Sequence, residues 1–214
     1  MMGHVSYDSQ RVQLADTVFQ AMQAPQSSEL GVAQAALATI DERYHSGDAS
    51  AVAMAVLQRT NSGDANLVLE AMKAVSYDSQ RVAMSKVLFS HLLAPEPPPF
   101  SHLARELLGS LDARYHSDDV VAVGKILGSR YSNPRARALL DEALSRQYAS
   151  QQAAGLKEAF QGIQGIDDDV TEIKKMARAI TGDGPQAAIV EKKGAVLVGG
   201  VRLRVRRDDC ESAS

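Results

Sequence analysis

The seven-residue word SYDSQRV stands at Ser6–Val12 and again at Ser76–Val82, an offset of 70. Each copy sets a phenol, a carboxylate, an amide and a guanidinium close together: Tyr7, Asp8, Gln10 and Arg11, then Tyr77, Asp78, Gln80 and Arg81. Those groups have the types needed for proton transfer or for gripping an anion. They have an equally direct structural use. Asp or Ser ahead of a run with helical apolar spacing caps the helix, an effect of about 1 kcal/mol. A tyrosine before the cap can fold back as half of a hydrophobic staple. Arginine in a first turn opposes the helix dipole. Its presence in both copies therefore calls for a carboxylate partner, Asp41 for Arg11 and Asp112 for Arg81. On this balance Tyr7, Asp8, Arg11, Tyr77, Asp78 and Arg81 read as structural residues of a repeat.

A second word, RYHS, recurs at Arg43–Ser46 and Arg114–Ser117, an offset of 71. His45 and His116 are expected to close a helix, where a cation suits the C-terminal carbonyls. The remaining histidines, His4, His91 and His102, do not fall at the i, i+4 spacing of a helical zinc site. No cofactor is expected either, since GxSxG, a P-loop and a glycine fingerprint after a strand are all missing from the sequence. The single cysteine, Cys210, has neither a disulfide partner nor a framework that would set a base beside it. A non-enzymatic protein is the expectation.

One charge feature stands out. Lys192, Lys193, Arg202, Arg204, Arg206 and Arg207 follow one another with no acidic residue between them. In VRLRVRR the valines and leucine take one face of a strand and the arginines the other. Such a row can contact the phosphates of nucleic acid or of anionic lipid. It also protects a sheet edge from pairing with other chains. Asp208, Asp209 and Glu211 partly cancel the field, and the formal net charge of the whole chain is −3.

The elements that must position these groups follow from the duplication. A fixed period of this size signals a tandem array. The boundaries expected are helical repeat 1 over 1–74, helical repeat 2 over 75–145, a degenerate third repeat over 146–182, a β-meander over 183–207 and a disordered tail over 208–214. Each full repeat reads as four short helices. The first starts near Asp8, carries Val12, Ala15, Phe19 and Met22 on one stripe and stops before Pro25. The second runs from about Ser28 to Tyr44. Asp48 is placed to cap the third, and Ser62-Gly63-Asp64 the fourth.

The third start lies at Tyr148, which stands twelve residues before Phe160, as Tyr7 does before Phe19 and Tyr77 before Phe89. There Ala149 replaces the Asp and Gln152 the Arg, and a second helix is expected from about Asp168 to Ile180. Terminal units of arrays are commonly atypical. Beyond Thr181 the alternating Val, Ile and Leu, with Gly199-Gly200 between two runs, predict a small antiparallel meander. The fold class expected is all-α tandem repeats, plus this meander.

The stretch Leu67–Phe89, LVLEAMKAVSYDSQRVAMSKVLF, is similar to a motif of a bacterial family of small helical domains of unknown function. In that family a helix leads into an aromatic-Asp-Ser-x-Arg-Leu word and then a second helix. Here Val82 stands where the family favours Leu, and RYHS has no counterpart. The resemblance implies helices and carries over no functional residue.

Apolar residues at 45% and charged residues at 23% are ordinary globular chemistry. No apolar run approaches the ~20 residues of a bilayer span, and MMGHVSYDSQ lacks the basic-then-apolar pattern of a signal peptide. The expectation is a cytoplasmic interaction or scaffold module whose partner is another protein. The arginine strand offers nucleic-acid binding as the alternative, and strand pairing offers a route to an oligomer.

Overall fold

The computed structural model describes the backbone of residues 2–23, 29–181, 190–192, 195–198 and 201–204, and side chains through residue 167. After a single 3₁₀ turn at Met2–His4 the helices are α1 (Asp8–Gln23), α2 (Glu29–Leu37), α3 (Glu42–Leu57), α4 (Gly63–Lys73), α5 (Asp78–Leu92), α6 (Phe100–Gly109), α7 (Ser117–Gly128), α8 (Pro134–Leu144) and α9 (Ala149–Thr181). Two compact units are present, Met1–Gly165 and Ile166–Ser214.

The first unit is a helical array in which α1–α4 and α5–α8 repeat one pattern. Local chemistry sets several starts. Asn133 accepts a hydrogen bond from the Arg135 N–H at 2.8 Å, and Pro134 takes the first helical position, where its missing N–H costs nothing. Pro99 stands directly ahead of α6. The core uses many small residues, among them Ala33, Ala36, Ala49, Ala53, Ala65 and Ala71, with Leu37, Leu57, Met72, Leu88, Phe89, Leu107 and Leu127 filling the larger gaps. Small side chains at helix contacts let the axes approach closely. Helix α5 packs most extensively on α3 and also touches α2, α4 and α6.

Several expectations are corrected. The third repeat is not a pair of helices. One continuous helix, α9, runs through the position of the proposed break at 168, and no proline stands from 161 to 167 to interrupt it. The second helix is shorter than Ser28–Tyr44: α2 ends at Leu37, and Asp41 starts the next helix by accepting from the Arg43 N–H at 3.1 Å. The RYHS word therefore opens a helix rather than closing one. At His45 the backbone leaves helical geometry (φ −133°, ψ 37°), and His116, directly ahead of α7, holds the matching angles of −132° and 43°.

The fold class is corrected as well. Through Thr181 the described residues are helical and contain no strand, so the fold class there is all-α, and the expected meander forms no part of it. Beyond it, backbone segments β1 (Val190–Lys192), β2 (Ala195–Val198) and β3 (Val201–Arg204) pair antiparallel in that order. The segments expected to join them as a meander, and every side chain there, lie outside the described residues, as does the 208–214 tail.

Candidate functional site: the seam between the duplicated words

The two words of each repeat, far apart in sequence, meet in space. In the first copy the Ser6 N–H and hydroxyl donate to the Asp48 carboxylate at 3.3 and 3.1 Å. In the second copy Ser76 makes the same pair of bonds to Asp119 at 3.2 and 3.0 Å. Beside each serine a tyrosine ring rests on a histidine ring. Tyr7 lies 4.2 Å from His45 and Tyr77 lies 4.2 Å from His116, centroid to centroid. The break at His45 and His116 turns the imidazole toward the tyrosine, and the following helical turn brings Asp48 or Asp119 under the serine. Hydrogen bonds to an ionised group are the stronger kind, about 1.5–3 kcal/mol net. Asp119 is buried, while Asp48 is reached by water.

These contacts revise the expected roles. Asp48 does not cap the third helix; it lies within α3 and ties that helix to the start of α1. Asp41 and Asp112 do not pair with the arginines, because each caps its own chain: Asp41 accepts from Arg43 and Asp112 from the Arg114 N–H at 3.0 Å. Arg11 instead lies 3.6 Å from Asp8 and donates to the Val5 carbonyl. Arg81 lies 2.8 Å from Asp78 and donates to the carbonyls of Val75 at 3.0 Å and Met72 at 3.1 Å. Those carbonyls belong to the end of α4 and the link that follows it, where a helix leaves acceptors unpaired. Arginine in the first turn of one helix thus closes the last turn of the helix before it.

The third copy confirms that use. Gln152, in the arginine's place, donates from Nε2 to the carbonyls of Leu144 at 3.0 Å and Arg146 at 2.7 Å. A neutral amide suffices because the acceptors are carbonyls. The tyrosines do not act as staples: Tyr7, Tyr77 and Tyr148 all remain exposed. Neither Asp78 nor Ser62 caps through its side chain, since no such bond forms at the start of α5 or α4.

The seams are neighbours. A Cβ on Gly47, in the RYHSGD turn of the first copy, would sit 3.6 Å from Asp78 Oδ2 in the second. Tyr44 and Tyr115, the residues before each histidine, are 78% and 79% exposed. The result is a surface on which Tyr7, Tyr44, Tyr77 and Tyr115 recur with the period of the array.

A further cluster went unread in the sequence. Asp64, in the first turn of α4, is paired by Arg130 and lies 3.7 Å from Nε2 of the buried His91. The Arg130 guanidinium also covers the Phe100 ring at 4.2 Å. Residues matched to His91 and Phe100 in the first copy are Ala21 and Glu29, so duplication could not point to this cluster. The Ser6–Asp48 bond did leave a signal, since Ser76 and Asp119 reproduce both residues at the repeat offset.

No group of three His, Cys, Asp or Glu side chains is placed to hold a metal among the described residues. No helix there is long and apolar enough to cross a membrane. Of the basic residues in the C-terminal strand, Lys192 lies on β1 and Arg202 and Arg204 on β3; Lys193, Arg206 and Arg207 lie outside the described residues. Comparison with protein-family models, curated proteins and solved structures gives no match.

Proposed function

We propose that this chain is a non-enzymatic cytoplasmic interaction module, a scaffold that presents its repeated seam to a partner protein. The observation that carries the reading is the pair of tyrosines left exposed at each seam, Tyr7 with Tyr44 and Tyr77 with Tyr115, above a hydrogen-bonded base. Tyrosine joins a large apolar ring to a polar tip, and it is enriched where protein surfaces meet. Holding such rings on a rigid array lowers the entropy lost on binding. Two seams one repeat apart suit a partner that offers two matching elements, for which the second contact is intramolecular.

The test uses the full chain and its Tyr44→Ser/Tyr115→Ser variant as matched baits in native extract. The expected result is a bound protein retained by the first and lost by the second, with the same helicity and melting temperature in both. Equal capture by both baits overturns the seam reading.

A further inference from the structure

Helix α1 carries an apolar stripe whose fate differs from that of its copies. Val12, Phe19 and Met22 are 60%, 65% and 78% exposed. Their register partners on α5, Val82 and Phe89, are 1% and 0% exposed, and Leu92 is partly buried. On α9 the matched Ala153, Leu156, Phe160 and Ile163 are all buried. What covers α5 is the preceding repeat, through α2, α3 and α4. Against α9, Gly124 of α7 receives Leu156, and Tyr131 meets Phe160 edge-on at 6.1 Å. The stripe is buried wherever a helical unit precedes it, and no described helix covers it on α1.

We infer that the α1 stripe is a docking face for a helical surface of another protein, seated as α2–α4 sit on α5 and carrying a cation opposite Asp16. The charge follows from one substitution between the copies. On α5, Lys86 pairs with Glu42 of α3. The residue of α1 in register with Lys86 is Asp16, which is exposed. An occupant with a carboxylate in the Glu42 position would meet a like charge there, whereas lysine or arginine would pair. A second copy of this chain does not fit in that manner: its α3 face is taken by α5, its α7 face by α9, and Glu42 has the wrong sign. The face uses other residues than the seam, and it stands if the seam reading fails.

The experiment inserts an additional copy of residues 5–74 between His4 and Val5, with Met22→Leu in the added copy so that the original Met22 is a unique reporter. The new junction reproduces the native one, because Val5-Ser6-Tyr7-Asp8 has the same letters as Val75-Ser76-Tyr77-Asp78. Peroxide oxidation of the original Met22 is followed by peptide mass spectrometry. With Glu42→Lys in the added copy, Met22 is expected to oxidise about tenfold more slowly than in the native chain, a change equivalent to ~1.4 kcal/mol. With Glu42 kept, protection is smaller, and Asp16→Lys in the original unit reverses that order.

Unchanged oxidation in every extended chain overturns the inference, whether or not helicity rises, since an equivalent unit folds onto α5. Protection that ignores the sign at Asp16 overturns the charge assignment. The native chain is also sedimented over a range of concentrations, with Met22 expected to stay reactive throughout. Self-association that protects Met22 and is lost in Phe19→Ser would give the stripe to a second copy and overturn the partner proposed.

Discussion

Helices α1 and α5 begin with the same residues, DSQRV, and both carry Phe eleven positions after the Asp, yet Phe89 is fully buried and Phe19 stands in solvent. The two helices diverge after that shared start, Asp16 standing where Lys86 stands, but both keep the apolar stripe. Their neighbours differ: α5 lies on the helices of the preceding repeat, and α1 has no described repeat ahead of it. The same stripe is core in one copy and surface in the other. A large exposed apolar patch is a feature of interaction sites, which is the use proposed for the stripe on α1.

The largest expected effect sharpens this contrast directly. Phe89→Ala should destabilise the protein by about 3–5 kcal/mol, as aromatic truncations in packed cores do. Phe19→Ala should stay within about 0.5 kcal/mol, the range of exposed positions. Urea unfolding of the two variants measures both, and similar losses would break the comparison.

The seams come next. Asp119→Ala leaves the Ser76 N–H and hydroxyl without their acceptor beside a buried site, and should cost about 2 kcal/mol. Asp48→Ala should cost clearly less, because water can replace the carboxylate there. Chemical denaturation of this pair tests whether burial, rather than bond geometry, sets the difference; equal costs would show that it does not.

Packing between units gives a middle-sized effect. A Cβ on Gly124 would lie 2.6 Å from Leu156 Cδ1 and 3.3 Å from its Cγ. In the first copy the aligned residues are Ala53 and Ser85, larger than the glycine and smaller than the leucine they replace. Gly124→Ala should therefore destabilise by about 1–2 kcal/mol through overpacking. Adding Leu156→Ser should bring less than the sum of the single losses. Additive losses would show that the two positions do not share one gap.

The smallest effect concerns the word itself. Arg81→Ala should cost about 1 kcal/mol by freeing the carbonyls that close α4. Arg81→Gln should recover most of that loss, since Gln152 fills the same role in the third copy. Arg81→Ala and Asp112→Ala should add within about 0.5 kcal/mol, as unpaired sites do. Thermal melts of these variants decide it, and glutamine no better than alanine would argue for charge over carbonyl closure.

Much of the array was legible because duplication is a property of letters. The matched words placed the unit boundary near Val75, and α4 and α5 lie on either side of it. Serine, glycine and Asp punctuation located the starts of α1, α2 and α4 to within a residue or so, while α3 begins at Glu42, ahead of the expected Asp48. The site was only half legible. Both words are visible in the letters, but letters alone do not show that Asp48 binds Ser6 or that Arg11 serves carbonyls rather than Asp41. Residues separated by some forty positions meet through the break at His45, and helical periodicity carries no trace of such a turn. The continuity of α9 was hidden for a related reason, since a weakened repeat pattern does not require a broken helix.

By itself the sequence determined a period, a helical grammar and which residues each unit keeps, because local propensity and capping act within a few positions of the chain. Tertiary structure alone decided that Ser6 binds Asp48, that Tyr7 rests on His45, and that one Phe of an identical pair is buried while the other is not. Hydrogen-bond partners and burial depend on what arrives from elsewhere in the chain, and one apolar stripe carried by two helices with different neighbours ends in different surroundings.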